Sequence, residues 1–212
     1  DQSYVLYMLT QEQLAHVKLP LGGLRKDQVR VIAEEHGFIN ARKHDSQDIC
    51  FVPDGDYAKF IEKYTGKKTP EGDFVDKEGN YIGRHKGIIH YTIGQRRGLG
   101  IPAASRLYVC EISPKTNTVV LGDNADLFSS ELEADSVNLI SVDNLSEPKR
   151  VTAKIRYRHK EQPATAWQTP DGILHVKFDE PQRAITKGQA VVMYDGDEVV
   201  GGGVINKIYS QS

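Results

Sequence analysis

Gln189-Ala190-Val191-Val192-Met193-Tyr194-Asp195-Gly196-Asp197-Glu198-Val199-Val200-Gly201-Gly202-Gly203-Val204-Ile205 is the stretch on which the fold turns. Two apolar, β-branched runs, at 189–194 and 198–208, flank an Asp-Gly-Asp turn, the pattern of a strand, a tight reversal and a second strand. The three glycines inside the second run predict a bulge or sharp coiling where a barrel closes. They do not read as a phosphate loop, because no Lys-Ser/Thr follows them and a strand surrounds them. Moving back toward the N-terminus, short strands recur at 136–141, 150–158, 164–169 and 173–178, with Pro170-Asp171-Gly172 as a further turn. Spacing of about ten residues between such strands predicts a small barrel or sandwich.

Upstream of residues 123–132, which are polar and weakly patterned, the grammar differs. Glu71–Asp76 and Tyr81-Ile82 read as strands around Lys77-Glu78-Gly79-Asn80, and 107–112 and 118–121 flank Pro114-Lys115-Thr116-Asn117 as another hairpin. Before Gly66 the chain reads as helical. Residues 2–9 and 10–17 suggest two short helices, with Thr10 and Gln13 as a capping box. Leu24 to His36 carries Val29, Ile32 and Ala33 on one face and ends at Gly37. Asp56 caps a further helix whose stripe of Tyr57, Phe60, Ile61 and Tyr64 reads as core. The expected fold is therefore mainly β with an N-terminal helical segment: helices and a cysteine loop over 1–55, a small central α+β or β domain over 56–130, and a C-terminal antiparallel β-barrel of six-stranded type over 131–212.

Composition narrows the function classes. The chain has 212 residues and a net charge of -2, so no global attraction to nucleic acid or membrane is expected and any must be local. No apolar run approaches the ~20 residues that span a bilayer. Cys50 and Cys110 are the only cysteines, which fits a reducing, cytoplasmic setting rather than a disulfide framework. Neither sits at zinc-ligand spacing from a second Cys or a His, so no metal is expected. The first residues, Asp1-Gln2-Ser3, read as the start of a piece cut from a longer protein.

Two basic segments stand out. Between Asn80 and Cys110 there is no acid, while Arg84, Lys86, Arg96, Arg97 and Arg106 are present. Within it, Gly94-Gln95-Arg96-Arg97-Gly98-Leu99-Gly100-Ile101 offers exposed N–H groups and guanidinium groups suited to phosphate. The second runs from Arg150 to Lys160. In a strand, Lys154, Arg156, Arg158 and Lys160 project to one face as a cationic ridge, and Val151, Ala153, Ile155 and Tyr157 project to the core. A solvated edge that blocks aggregation would account for lysines, whereas two arginines favour a polyanion. Two patches in separate domains suggest an extended ligand such as folded RNA.

The remaining chemical candidate is Cys50, in Asp45-Ser46-Gln47-Asp48-Ile49-Cys50-Phe51-Val52. On its neighbours alone it reads as a small buried hydrophobe without chemistry. Other catalytic arrangements are weaker: Ser46 lacks a Gly-x-Ser-x-Gly elbow, Gly22-Gly23 is not followed by nucleotide-loop residues, and Cys110 alternates on a strand as core.

Several ordered motifs resemble one family, the tRNA-specific 2-thiouridylases, called tRNA (5-methylaminomethyl-2-thiouridylate)-methyltransferases in older naming. They are Asp-Gln-Ser-Tyr at 1–4, Gln-Glu-Gln-Leu at 11–14, Pro-Leu-Gly-Gly-Leu at 20–24 and Lys-His-Asp-Ser-Gln-Asp-Ile-Cys-Phe-Val at 43–52. They continue with His-Tyr-Thr-Ile-Gly-Gln-Arg-Arg-Gly-Leu-Gly-Ile at 90–101, Arg-Tyr-Arg at 156–158 and Phe-Asp-Glu-Pro at 178–181. The resemblance runs nearly end to end.

It implies an enzyme that places sulfur at C2 of the wobble uridine in tRNAs for Lys, Glu and Gln. ATP adenylates the C2 oxygen in an N-terminal domain carrying a Ser-Gly-Gly-x-Asp-Ser loop, and a cysteine persulfide delivers the sulfur. Cys50 matches the persulfide cysteine, which reverses its local reading. Asp1 and Gln2 match a tRNA-contact segment, Arg156 and Tyr157 match contacts in the C-terminal barrel, and Gln189 matches another. Lys154, Arg158, Arg96 and Arg97 join them from the basic segments. The implied partners are tRNA and a sulfur-donor protein, either a relay protein or a cysteine desulfurase, with no DNA and no membrane.

The departures matter too. The Ser-Gly-Gly-x-Asp-Ser loop and the first family cysteine are absent from these 212 residues, and Cys110 does not match that cysteine. The expectation is a C-terminal portion with no ATP site, inactive alone. A free thiol has a pKa of ~8.5 and needs nearby positive charge to ionise. Asp45 and Asp48 act against that, leaving Lys43, bound tRNA or the rest of the parent enzyme to activate Cys50. The competing reading is a non-catalytic RNA-binding module with a translation-factor-like barrel and a structural Cys50.

Overall fold

A computed structural model of the chain describes residues 2–43, 52, 55–102 and 105–209. They form two compact units, one of Asp1–Gln11 with Lys68–Ser212 and the other of Glu12–Lys67.

In the larger unit, β1 (Gly72–Val75), β2 (Tyr81–His85), β3 (Tyr108–Ser113) and β4 (Thr118–Gly122) make a four-stranded sheet in the order β2-β1-β4-β3. Both hairpins expected from the turn residues are present. Asp76 closes the first: its carboxylate accepts from the Asn80 backbone N–H at 2.7 Å. Asn117 turns the second in the left-handed region, at φ 53. Phe74, Val109, Val119 and Leu121 form the apolar core with Tyr91. His85 is buried among them. One ring nitrogen accepts from Gly87 N–H at 3.0 Å and the other lies 3.0 Å from the Asn117 carbonyl. One accepting and one donating nitrogen define a neutral imidazole.

The rest of this unit is a closed barrel of β5 (Phe128–Leu139), β6 (Lys149–Lys154), β7 (Gln162–Gln168), β8 (Leu174–Arg183), β9 (Ala190–Asp195) and β10 (Glu198–Tyr209), in the order β10-β5-β8-β7-β6-β9. Every adjacent pair is antiparallel. Of the barrel and sandwich alternatives, the barrel is what forms. The register shifts on both sides of the Gly201–Gly203 run, between Val199 and Gly201 against β9 and between Gly202 and Val204 against β5. Side chains there would strike backbone: a Cβ on Gly202 would lie 2.5 Å from the Val191 carbonyl oxygen.

Three strand boundaries differ most from expectation, the first being β8, which runs on to Arg183 rather than stopping at 178. β5 begins at Phe128, inside the polar stretch, because its polar residues are satisfied: buried Ser129 donates to the Tyr209 carbonyl at 2.5 Å. β6 ends at Lys154 rather than 158, because the chain leaves the sheet into a turn closed by His159 N–H on the Arg156 carbonyl at 3.0 Å.

Leu132, Val151, Ala153, Leu174, Val176, Phe178, Val191, Met193 and Ile205 fill the barrel. Full burial of a Leu, Val or Phe contributes about 1.5–3 kcal/mol each. β9 is apolar from Ala190 to Met193, with Tyr194 next and only the exposed Asp195 charged, because both its faces are covered. Val191 and Met193 join the interior, while Val192 and Tyr194 pack with Tyr4 and Tyr7 at α1 (Ser3–Leu6). The N-terminal segment is tied down by polar contacts as well, since Asn138 donates to the carbonyls of Tyr7 and Leu9 at 2.5 and 3.0 Å.

The smaller unit is helical. It contains α2 (Gln11–His16) from its second residue onward, α3 (Lys26–Glu35) and α4 (Tyr57–Thr65). α3 ends as its glycine predicts: Gly37 N–H donates to Glu34 O and Phe38 N–H to Ala33 O, with Gly37 at φ 71. The Asp56 carboxylate accepts from Lys59 N–H at 3.0 Å, capping α4. The stripe expected to be core is not: Tyr57 and Ile61 are 39% exposed and Tyr64 is 83% exposed. Periodicity identifies the face that prefers cover but does not supply the cover, and within this unit only Val52 and Ala58 are buried among the described residues.

Candidate RNA-contact surface

The end of β6 sets the geometry. Ile155 keeps the inward phase and is buried. The turn that follows breaks the alternation, so Arg156 is half-buried and Tyr157, expected to face inward, is 46% exposed. The anticipated ridge of four cations on one strand face does not form.

Arg156 is held instead by one guanidinium nitrogen, which donates to the Ala184 carbonyl and, at 2.9 Å, to Thr186 Oγ1. Ala184 adopts φ 56, a left-handed conformation. Burial, and after it the charge of Arg183, hold the Arg156 pKa below its ordinary value. Arg156 has no carboxylate partner within 4.0 Å among the described residues.

The other matched residues converge on this rim. Tyr157 meets Tyr4 edge to face, and the Tyr4 hydroxyl donates to the Ala190 carbonyl at 2.8 Å. Burial, then the neighbouring phenols Tyr7 and Tyr194, push the Tyr4 pKa up to about 12. Gln2 is exposed immediately before α1. Gln189 is exposed beside Ala190, and its N–H donates at 3.2 Å to the carbonyl of Thr186, the residue that receives Arg156. Gln2, Arg156, Tyr157 and Gln189 are thus linked through α1 and the 184–190 turn. Asp1 lies outside the described residues.

The residues drawn from the basic segments are placed differently. The Lys154 side chain is 14% exposed, 3.2 Å from Glu161 and 4.8 Å from the Tyr194 ring centroid. Arg158 is exposed. Arg96 and Arg97 are exposed on a loop pinned by Gln95, whose side chain accepts from Thr92 N–H at 2.9 Å and donates to the Arg97 carbonyl at 3.0 Å. A cavity of about 380 Å³ adjoins this loop, with Arg96, Gly98, Gly100 and Arg106 in its wall.

Cys50 lies outside the described residues. Cys110 is half-buried on β3, its thiol pushed up to about 11 by burial and then by Asp126, so it is a poor nucleophile at neutral pH. Among the described residues, no group of three His, Cys, Asp or Glu is arranged to hold a metal ion, and no helix is long and apolar enough to cross a membrane.

Sequence reasoning missed Tyr4, Thr186 and Arg183. Tyr4 falls in the first expected helix and in the Asp-Gln-Ser-Tyr motif with nothing to single it out, and Thr186 and Arg183 follow the Phe-Asp-Glu-Pro motif without any local pattern. Only the return of β8 beside the β6 turn brings them to Arg156.

Three family models cover the chain in succession: a tRNA methyl transferase HUP domain at residues 1–54, a tRNA methyl transferase PRC-barrel domain at 58–123 and an aminomethyltransferase beta-barrel domain at 129–205. The chain is 58% identical over 207 residues to a tRNA-specific 2-thiouridylase MnmA of Clostridioides difficile strain 630, a match covering 98% of this chain and 57% of the relative. It is 56% identical over 205 residues to the protein of the same name from Acetivibrio thermocellus, covering 97% of this chain and 57% of that relative. The chain belongs to the tRNA-specific 2-thiouridylase family. It spans a little over half the length of these 2-thiouridylases. Within the family match, the barrel model takes in Arg156, Tyr157 and Gln189, and the HUP model takes in Gln2 and Cys50.

Proposed function

We propose that this chain is the tRNA-holding and sulfur-delivering part of a tRNA 2-thiouridylase that acts on the wobble uridine of tRNAs for Lys, Glu and Gln. The reading is carried by Arg156, a half-buried cation fixed by neutral oxygens rather than a carboxylate and grouped with exposed Tyr157 and Gln189. A guanidinium with open valence suits a phosphate, and an exposed tyrosine suits a nucleobase or ribose. Asp1, Gln2, Arg156, Tyr157 and Gln189 hold the RNA, and Arg96, Arg97 and Arg158 extend the contact. Lys154 acts chiefly by supporting the barrel wall.

Cys50 carries the sulfur as a persulfide supplied by a donor protein. Its outer sulfur bonds to C2 of the uridine as the C2 oxygen departs. A second protein thiol then attacks the Cys50 sulfur. The S–S bond breaks, a protein disulfide forms, and the electron pair stays on the transferred sulfur as thiocarbonyl. The 212 residues contain no Ser-Gly-Gly-x-Asp-Ser loop to hold ATP. Activation of the C2 oxygen is therefore assigned to ATP held outside these residues.

Three measurements test this. Mass spectrometry of the parent enzyme during turnover should find one added sulfur on Cys50, and Cys50→Ser should abolish thiolation while tRNA binding persists. Unchanged thiolation by Cys50→Ser would instead support the non-catalytic RNA-binding reading. Arg156→Ala should lower the slope of log affinity against log salt by ~0.7–0.9.

A further inference from the structure

Arg183 ends β8 as an exposed side chain next to Ala184, whose carbonyl receives Arg156. Its Nε donates to Asn124 Oδ1 at 3.2 Å, and its guanidinium carbon lies 5.6 Å from the centroid of the Tyr108 ring. Both contacts leave the remaining guanidinium donors unspent. No carboxylate lies within 4.0 Å of either arginine among the described residues. Arg150, on the same barrel, is by contrast neutralised, gripping Asp179 with two bonds of 2.8 and 2.7 Å.

Gly94 faces the same place. A Cβ there would lie 3.3 Å from an Arg183 guanidinium nitrogen and 3.3 Å from the Ala184 Cβ. The glycine loop of the central sheet therefore approaches the barrel rim without a side chain intervening. His159, half-buried on the turn after β6, is held toward its neutral form by burial and then by the Arg156 charge. The Arg183 charge already bears on Arg156; two like charges without an acid between them raise the energy of the free protein, and a bound anion relieves that repulsion.

We infer that Arg156 and Arg183 together form a seat for one phosphodiester group of the tRNA backbone, at the junction of the barrel rim and the Gly94 loop. This rests on the proposed tRNA-holding role of Arg156 and adds Arg183 as a second binding residue. Arg156 is pre-fixed by Ala184 and Thr186, whereas Arg183, tethered only at Nε and over a ring, swings its free nitrogens onto the phosphate. The two guanidinium groups then share the phosphate oxygens in charge-assisted bonds.

The test is tRNA affinity of the 212-residue chain across a salt series, for the wild type, Arg156→Ala, Arg183→Ala, Arg183→Lys and Asn124→Ala, with thermal midpoints beside them. Arg183→Ala is expected to weaken binding by ~10-fold at low salt and to lower the salt slope by ~0.9. Arg183→Lys should retain the slope while losing part of the affinity, and Asn124→Ala should leave the slope unchanged. If Arg156→Ala weakens binding and Arg183→Ala does not, the seat is overturned and the wider tRNA-holding role stands. If neither weakens it, both fall. An affinity loss with an unchanged slope and a lowered midpoint makes Arg183 a structural residue and overturns the inference. Titration with inorganic phosphate separates the sources: an Arg183-dependent phosphate site without any Arg183 effect on tRNA would also overturn it.

Discussion

Tyr4 and Tyr157 meet edge to face, with ring centroids 6.0 Å apart and planes inclined at 70°. One lies in the short N-terminal helix and the other in the turn after β6, so a contact between distant parts of the sequence joins the two segments assigned to RNA. Tyr4→Phe keeps the ring and loses the bond to the Ala190 carbonyl, and is expected to destabilise the unit by about 1 kcal/mol in urea unfolding. Tyr4→Ala also removes the packing on Val192 and Tyr194 and is expected to cost about 3 kcal/mol. Equal midpoints for wild type and Tyr4→Ala would show that α1 does not dock.

Alkaline pH should weaken the same contact. Folding raises the Tyr4 pKa from 10.0 to about 12 and the Cys110 pKa from 9.0 to about 11. In those windows the unfolded chain releases protons that the folded chain retains, so stability falls as pH rises. The contribution is complete below pH 9 and is lost through about 11 for Cys110, then through about 12 for Tyr4. Urea midpoints from pH 8 to 12 should decline, less steeply above pH 10 in Tyr4→Phe. An identical decline in that variant would remove Tyr4 as its source.

Gly202→Ala tests the closure of the barrel. The added methyl would lie 2.5 Å from the Val191 carbonyl oxygen and 2.7 Å from the Tyr7 ring. The strand must shift, and a loss of about 1–3 kcal/mol is expected. Hydrogen exchange should quicken in β9 and β10 ahead of the central sheet; uniform protection would contradict this.

Lys154→Ala is expected to separate support from binding. Its ammonium sits against Glu161 and the Tyr194 ring with little exposure. Truncation should lower the thermal midpoint while changing the salt slope of tRNA binding less than Arg156→Ala does. A slope change equal to that of Arg156→Ala would place Lys154 on the RNA.

Elements governed by local chemistry are legible in the sequence. The Asp195–Asp197 turn, the Gly201–Gly203 register shifts and the Gly37 stop each follow from what glycine permits. Strand alternation alone directs Tyr157 inward, but β6 stops at Lys154 and the turn at Arg156–His159 ends the alternation. The Tyr57–Tyr64 stripe was misjudged for a different reason: an amphipathic helix advertises a need for cover without saying where the cover comes from. For the candidate site, residue types could be read but neighbourhood could not. Arg156 and Thr186 are thirty positions apart and meet only through barrel closure.

The tether on Arg156 has a kinetic consequence. A long, freely rotating side chain forfeits roughly 0.5–1.5 kcal/mol of rotamer entropy when a partner immobilises it. Here the Ala184 carbonyl and the Thr186 hydroxyl have already stilled the guanidinium in the unliganded chain. A docking backbone finds that one charge waiting in position, while Arg183 still has to be captured, so encounter and tightening become two separable events.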